Sequence, residues 1–265
     1  MRILYVIYIT GILATILLWL GFFRVLSRKL ASGLALVVLA VGGGLLSQAV
    51  LPGNSFYGPV LTKVETQEKV MALTFDDGPY SPYTEQLLEV LDKEQVKATF
   101  FVVGEKALQR PDLVRKVQQS GHELALHSYV HRDQLKLPAE AVAENLRQGK
   151  AALEGITGVP TKFFRPPHGF KDWTVMAEAE KAHLEVVNWS VIPRDWTNPG
   201  AEVIAQRVID KAHPGAIVLL HDGDSPRYVV PREQTIQAIG KIIRELKQRG
   251  YRFVTVSELK RIGKS

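Results

Sequence analysis

Between residues 70 and 255, short apolar runs alternate with amphipathic stretches, and that alternation leaves few folds open. The runs fall at 70–75, 98–103, 122–126, 162–164, 184–189, 215–220 and 252–255. The stretches between them, at 81–94, 111–120, 139–154, 173–182, 201–212 and 231–249, carry apolar residues at helical spacing, as Leu87, Leu88 and Leu91 do. A last turn of helix follows the final run. Seven strand–helix units predict a parallel sheet with crossover helices. Periodicity does not choose between an open doubly wound sheet and a closed barrel.

The polar residues narrow the function. Asp76 and Asp77, His127, Arg165, Asp195 and His221 all fall just after apolar runs. Strand carboxyl ends form the working face of both kinds of α/β sheet. Unrelated segments have no reason to place chemical side chains at the same relative point.

Two further apolar stretches, about 3–23 and 30–51, precede this pattern. Each is near the roughly 20 residues that span a hydrocarbon core. Neither shows the polar face of a surface helix, which argues against a soluble hairpin. A cleaved leader has a shorter apolar region, of about 7–15 residues, although Ser47-Gln48-Ala49 has the small-x-small form of a cleavage site. The stretches therefore predict a membrane hairpin over 1–51, a linker over 52–68 that opens with Pro52-Gly53-Asn54-Ser55, and a catalytic domain over 69–265. Gly42-Gly43-Gly44 either weakens the second helix or lets it pack closely on the first. Arg24, Arg28 and Lys29 in the short loop predict that the loop is cytoplasmic and the domain extracytoplasmic; Arg2 and the starting amine oppose that orientation.

Of the net charge of +6, the hairpin's four basic residues and no acids account for +4. The basic balance thus belongs mostly to the membrane end and does not predict nucleic-acid binding. The chain has no cysteine, so a metal here uses His, Asp or Glu.

Asp76-Asp77-Gly78-Pro79 has turn composition. Adjacent acids at the end of an apolar strand are costly without a cation or donor, which favours a site. His127 and His131, four apart, predict two imidazoles on one side of a helical turn. With one carboxylate they suit Zn²⁺, and also Co²⁺, Ni²⁺, Mn²⁺ or Fe²⁺. Arg165-Pro166-Pro167-His168-Gly169 reads as a rigid loop in which Arg165 holds a carboxylate and the backbone offers an N–H to an oxyanion. Asp172 reads as a helix N-cap. His221, which ends a buried run, is either a satisfied core histidine or a catalytic acid; its place on the shared edge favours the acid. His122, His183 and His213 read as structural.

Together these motifs resemble the polysaccharide deacetylase family, carbohydrate esterase family four, over roughly residues 69–259. The resemblance implies a distorted (β/α)7 barrel that removes acetyl groups from N-acetylated sugars or O-acetylated polysaccharides with one divalent metal ion. It implies Asp76 as general base, Asp77, His127 and His131 as metal ligands, and Arg165 as the residue holding the base. It further implies His221 as general acid oriented by Asp195, Trp196 as a pocket wall and Leu220 as the apolar lining of the acetyl pocket. His168 stands where many members carry an aromatic; the backbone N–H there is retained, while substrate contacts differ. Val218 stands where Leu is common. The implied partners are an acetylated glycan and, through the hairpin, the lipid bilayer. Peptidoglycan is the first expected substrate. A deacylase or deformylase of a lipid-linked amino sugar, or an inactive glycan-binding module, are the alternatives.

Overall fold

The structure, a computed structural model, describes residues 2–224 and 230–263. Two helices come first, α1 (Ile3–Phe22) and α2 (Arg28–Val50). Both are long and apolar enough to cross a membrane, with mean hydropathies of 2.3 and 2.1. They run antiparallel, with Gly21 against Ala31 and Gly42 against Thr10. A Cβ on Gly42 would stand 2.6 Å from the Thr10 hydroxyl, so that glycine permits the close approach. Gly43 and Gly44 meet nothing, and α2 runs through them unbroken.

The rest alternates as the sequence predicts: β1 (Val70–Asp76), α3 (Tyr83–Lys93), β2 (Thr99–Val102), α4 (Gly104–Gln109), α5 (Pro111–Gln119), β3 (Glu123–Leu126) and α6 (Ala139–Thr157). There follow β4 (Phe163–Phe164), α7 (Trp173–Lys181), β5 (Glu185–Val186), α8 (Ala201–Asp210), β6 (Ala216–His221), α9 (Glu233–Gln248), β7 (Arg252–Phe253) and α10 (Val256–Ile262). The periodicity did not predict α4, whose six residues are too few to show a repeat.

All strand pairs are parallel, in the order β5-β4-β3-β2-β1-β6, with β7 beside the first residues of β1. The sheet curls until its edges meet. Beyond β5, the Ser190 and Val191 N–H groups donate to Ile217 O at 3.0 and 3.1 Å, and Leu219 N–H returns a bond to Val191 O at 2.9 Å. Leu61 bridges Val187, and Val64 N–H donates to Gly215 O at 2.9 Å, so residues 61–64 fill the gap below that seam. The result is the distorted, curled parallel barrel expected.

Alternation along the strands decides which side chains see which core. Val70, Ala72, Phe101, Ile217 and Leu219 pack inside the curl. Met71, Leu73, Phe75, Val218 and Leu220 face the helices outside. Burying a side chain such as Phe75 stabilises the fold by about 1.5–3 kcal/mol.

The hairpin is packed into this body. Arg2 forms a buried ion pair with Asp172, Nη1 to Oδ1 at 3.1 Å, and the Ile3 N–H donates to Asp172 Oδ2 at 3.1 Å. Asp172 Oδ1 also caps α7 through Val175 N–H at 3.0 Å, as the sequence predicts. The charge at Arg2 is therefore neutralised beside the barrel, while Arg24, Arg28 and Lys29 lie at the opposite end of the hairpin. The starting amine lies outside the described residues. His122 is structural: its Nδ1 accepts from Ala98 N–H at 3.2 Å, and burial pushes its pKa down to about 4.

Candidate active site

The carboxyl ends of β1, β3, β4 and β6 converge on a cavity of about 480 Å³. Asp76, Asp77, His127, His131, His168, Trp196 and His221 line it. Asp76 is the last residue of β1; Asp77 turns away from it at φ 75°. The turn is pinned: Lys106 Nζ donates to Asp77 O at 2.8 Å, and Asp222 N–H to Asp76 O at 3.1 Å. Gly223 lies so close that a Cβ there would collide with the Asp77 carbonyl.

Asp77 Oδ1 stands 3.5 Å from His127 Nε2 and 3.1 Å from His131 Nε2. One ligand atom from each residue lies within 4.8 Å of the others, all three side chains being buried. Asp77 Oδ1 is itself buried without a hydrogen-bond partner. His127 Nδ1 lies 2.8 Å from Arg165 O, so its N–H donates there and Nε2 is left as a lone pair. An orphaned carboxylate oxygen facing two imidazole nitrogens fits a divalent cation, and the donor set suits zinc among other metals.

The imidazoles converge without the predicted helical turn. Residues 127–131 form a loop, with Ser128 at φ 67° and His131 at φ 40°. Tertiary bonds hold it open: Gly104 and Glu105 N–H donate to Ser128 O and Tyr129 O at 3.0 and 2.9 Å, and Asn145 Oδ1 accepts from Tyr129 N–H at 2.8 Å. Four-residue spacing alone could not reveal that, because the partners come from α4 and α6.

Arg165 is fully buried. It donates to Asp76 Oδ1 at 2.6 Å, Thr74 Oγ1 at 2.8 Å, Val187 O at 3.1 Å and Asn188 O at 2.9 Å. Its guanidinium lies 3.9 Å from the centre of the Phe101 ring. Across the cavity, His221 Nδ1 donates to Asp195 Oδ1 at 2.8 Å; Asp195 Oδ2 accepts the His221 N–H at 2.9 Å and the Thr235 hydroxyl at 3.1 Å. Burial disfavours the imidazolium, but Asp195, with Asp77 and Asp76 behind it, outweighs burial and raises the His221 pKa above its ordinary value. The Trp196 ring stands edge-on to His221 at 5.4 Å. His168, at φ 62°, sits perpendicular to His131 at 5.3 Å.

One predicted residue is displaced. Leu220 packs in the outer core, and Leu219 lines the cavity. Strand parity is the reason: with His221 facing the site, the leucine on the same face is two residues back. Sequence reading also passed over Asp222, which directly follows His221. Its carboxylate is buried under Gly78, accepts the Thr84 hydroxyl at 2.5 Å, and burial lifts its pKa to about 6.

Comparison with known proteins finds relatives over most of the chain. The polysaccharide deacetylase profile matches residues 63–187. The peptidoglycan-N-acetylglucosamine deacetylase of Bacillus cereus is 42% identical over 206 residues, 77% of this chain and 94% of that protein. The chitooligosaccharide deacetylase of Bradyrhizobium sp. is 38% identical over 194 residues, covering 71% of this chain and 89% of that one. Among solved structures, the Bc1960 peptidoglycan N-acetylglucosamine deacetylase superposes with a TM-score of 0.71 at 30% identity, over 76% of this chain and 92% of its own. With an identity this high over nearly the whole of a relative, the chain belongs to the polysaccharide deacetylase family.

Proposed function

We propose that the protein is a metal-dependent N-deacetylase of N-acetylated amino sugars of the cell-envelope glycans. The observation that carries this is the separation of two carboxylates one residue apart: Asp77 faces two imidazoles, and Asp76 faces Arg165. The names of the most similar relatives support the glycan class. Asp77, His127 and His131 would hold the cation, zinc by donor type, which would supply Lewis acidity toward water and the amide carbonyl.

The chain's own groups do the rest. Asp76, aimed by Arg165, takes a proton from the attacking water. The backbone N–H at His168 donates to the developing oxyanion, a contribution of about 3 kcal/mol for such a donor. His221, held by Asp195, gives its proton to the leaving nitrogen, and Trp196 and Leu219 wall the acetyl group. The hairpin places the protein in the cell membrane with the domain extracytoplasmic. The position of Arg2 beside the domain and of the basic loop at the far end supports that orientation.

The direct experiment is acetate release from purified wall glycan and chitooligosaccharides by the zinc-loaded chain. A chelator is expected to stop it; full activity after chelation counts against the reading. Two variants probe the supporting residues. Asp195→Asn removes the largest of the groups that raise the His221 pKa, so burial, which lowers it, gains weight. Activity that needs protonated His221 is then lost at lower pH, so the basic limb of the kcat/KM profile shifts toward acid and the rate falls by about 10²–10⁴. An unmoved limb would remove His221 as the acid. Gly223→Ala pushes the Asp77 carbonyl from its place. Its expected effect is about 10–100-fold weaker zinc binding in calorimetry, the scale of lost outer support at metal sites.

A further inference from the structure

The trailing end of the hairpin reaches the substrate cleft. Val50, the last residue of α2, and Pro52 line the same cavity as Asp76, Asp77, His131 and His221. That end is fixed in place by the catalytic domain. Lys171 N–H donates to Ala49 O at 3.0 Å, Lys171 Nζ to Leu51 O at 2.7 Å, and Asn188 Nδ2 to Pro52 O at 3.0 Å. Lys171 and Asn188 are both fully buried, and Asn188 also donates to Gly169 O at 3.1 Å in the loop that carries His168. An ammonium at the carboxyl end of α2 satisfies a carbonyl that the helix leaves open and complements its dipole. Tyr57 adds a bond from its hydroxyl to Leu45 O at 2.6 Å. Ile3 and Ala49 share one buried cluster with Leu126, Phe164 and Val175.

The remainder of the hairpin is bare. Ile9, Ile12, Ile16, Trp19 and Phe22 on α1 are about half exposed or more. When those surfaces lie in hydrocarbon, the end of α2 lies at the headgroups, and the cleft that it walls opens there. A cross-linked wall strand is held outside that layer. A sugar on a lipid carrier is held within it, which raises its effective concentration at the cleft.

We propose that the hairpin end is a wall of the substrate cleft and that the enzyme acts on an N-acetylated amino sugar carried on a membrane lipid. This rests on the deacetylase reading above. Water adds its oxygen to the acyl carbon, the C–N bond breaks, the nitrogen leaves as the free amine with the proton from His221, and acetate is released. The test uses the full chain, zinc-loaded, in lipid nanodiscs. Its probes are N-acetylglucosamine on undecaprenyl diphosphate and purified wall glycan strands, at equal amide concentration. The expected kcat/KM is at least tenfold higher for the lipid-carried sugar. Val50→Trp, which narrows the cleft from the hairpin side, is expected to lower that value about tenfold, chiefly through KM. Lys171→Met, which frees the hairpin end, is expected to bring the ratio between the two probes toward one while acetate is still released. Faster turnover of wall strands overturns the proposal, as does a Val50→Trp enzyme with unchanged KM. No acetate from either probe overturns the deacetylase reading itself.

Discussion

Asp76→Asn is expected to lower acetate release by about 10²–10⁴, the range of a lost general base, while the protein keeps its bound cation. Asp77→Asn is expected to lose the cation. The two side chains are chemically identical and adjacent, so only their surroundings assign them different work. Asp77 Oδ1 has no hydrogen-bond donor and faces two histidine nitrogens. Asp76 spends one oxygen on Arg165 at 2.6 Å and keeps the other 3.7 Å from His127 Nε2, on the cavity side. Metal content by mass spectrometry, read beside acetate release, checks both halves. Equal cation content in the two variants would show that the pair is assigned wrongly. Asp76→Asn also leaves a buried guanidinium without its counter-charge, so its unfolding midpoint should fall while its cation content does not.

Arg165→Met is expected to destabilise the fold by about 3–5 kcal/mol, the cost of leaving one member of a buried ion pair uncompensated. The loss exceeds one contact. The guanidinium donates to two carbonyls, a hydroxyl and a carboxylate drawn from β1 and the segment after β5. It thereby ties the first strand to the seam where the barrel closes. Arg165→Lys keeps the charge but not the planar fork, so it should recover only part of the stability and little of the turnover. Denaturant unfolding beside acetate release reads both. An unchanged midpoint in Arg165→Met would show that the seam does not depend on this residue.

Much of this was legible in the chain because strand ends announce themselves. An apolar run followed by a charged or imidazole residue marks a carboxyl end, and β1, β3, β4 and β6 all carry one. What stayed hidden depends on partners far along the sequence. Asp172 reads as a cap from its own neighbourhood, but its pairing with Arg2 spans 170 residues. Lys171 carries no local sign that it reaches Leu51. The loop of His127 and His131 takes its shape from α4 and α6, so spacing suggested a helix that is absent. Leu220 was displaced by a different error, since the motif gave the right strand and parity gave the right face.

The register of β1 has one more consequence. Asp76 sits level with His221 on β6 and with Phe101 on β2. Sliding β1 by a single residue would put Asp77 at that level and carry Asp76 back to the level of Phe100 and Leu220, on the face toward the outer helices, because neighbours along a strand face opposite ways. In the proposed mechanism that slip would leave the composition unchanged and the chemistry gone. The seven buried residues of β1, paired to three strands, therefore do more than fill the barrel. They tell two indistinguishable acids apart.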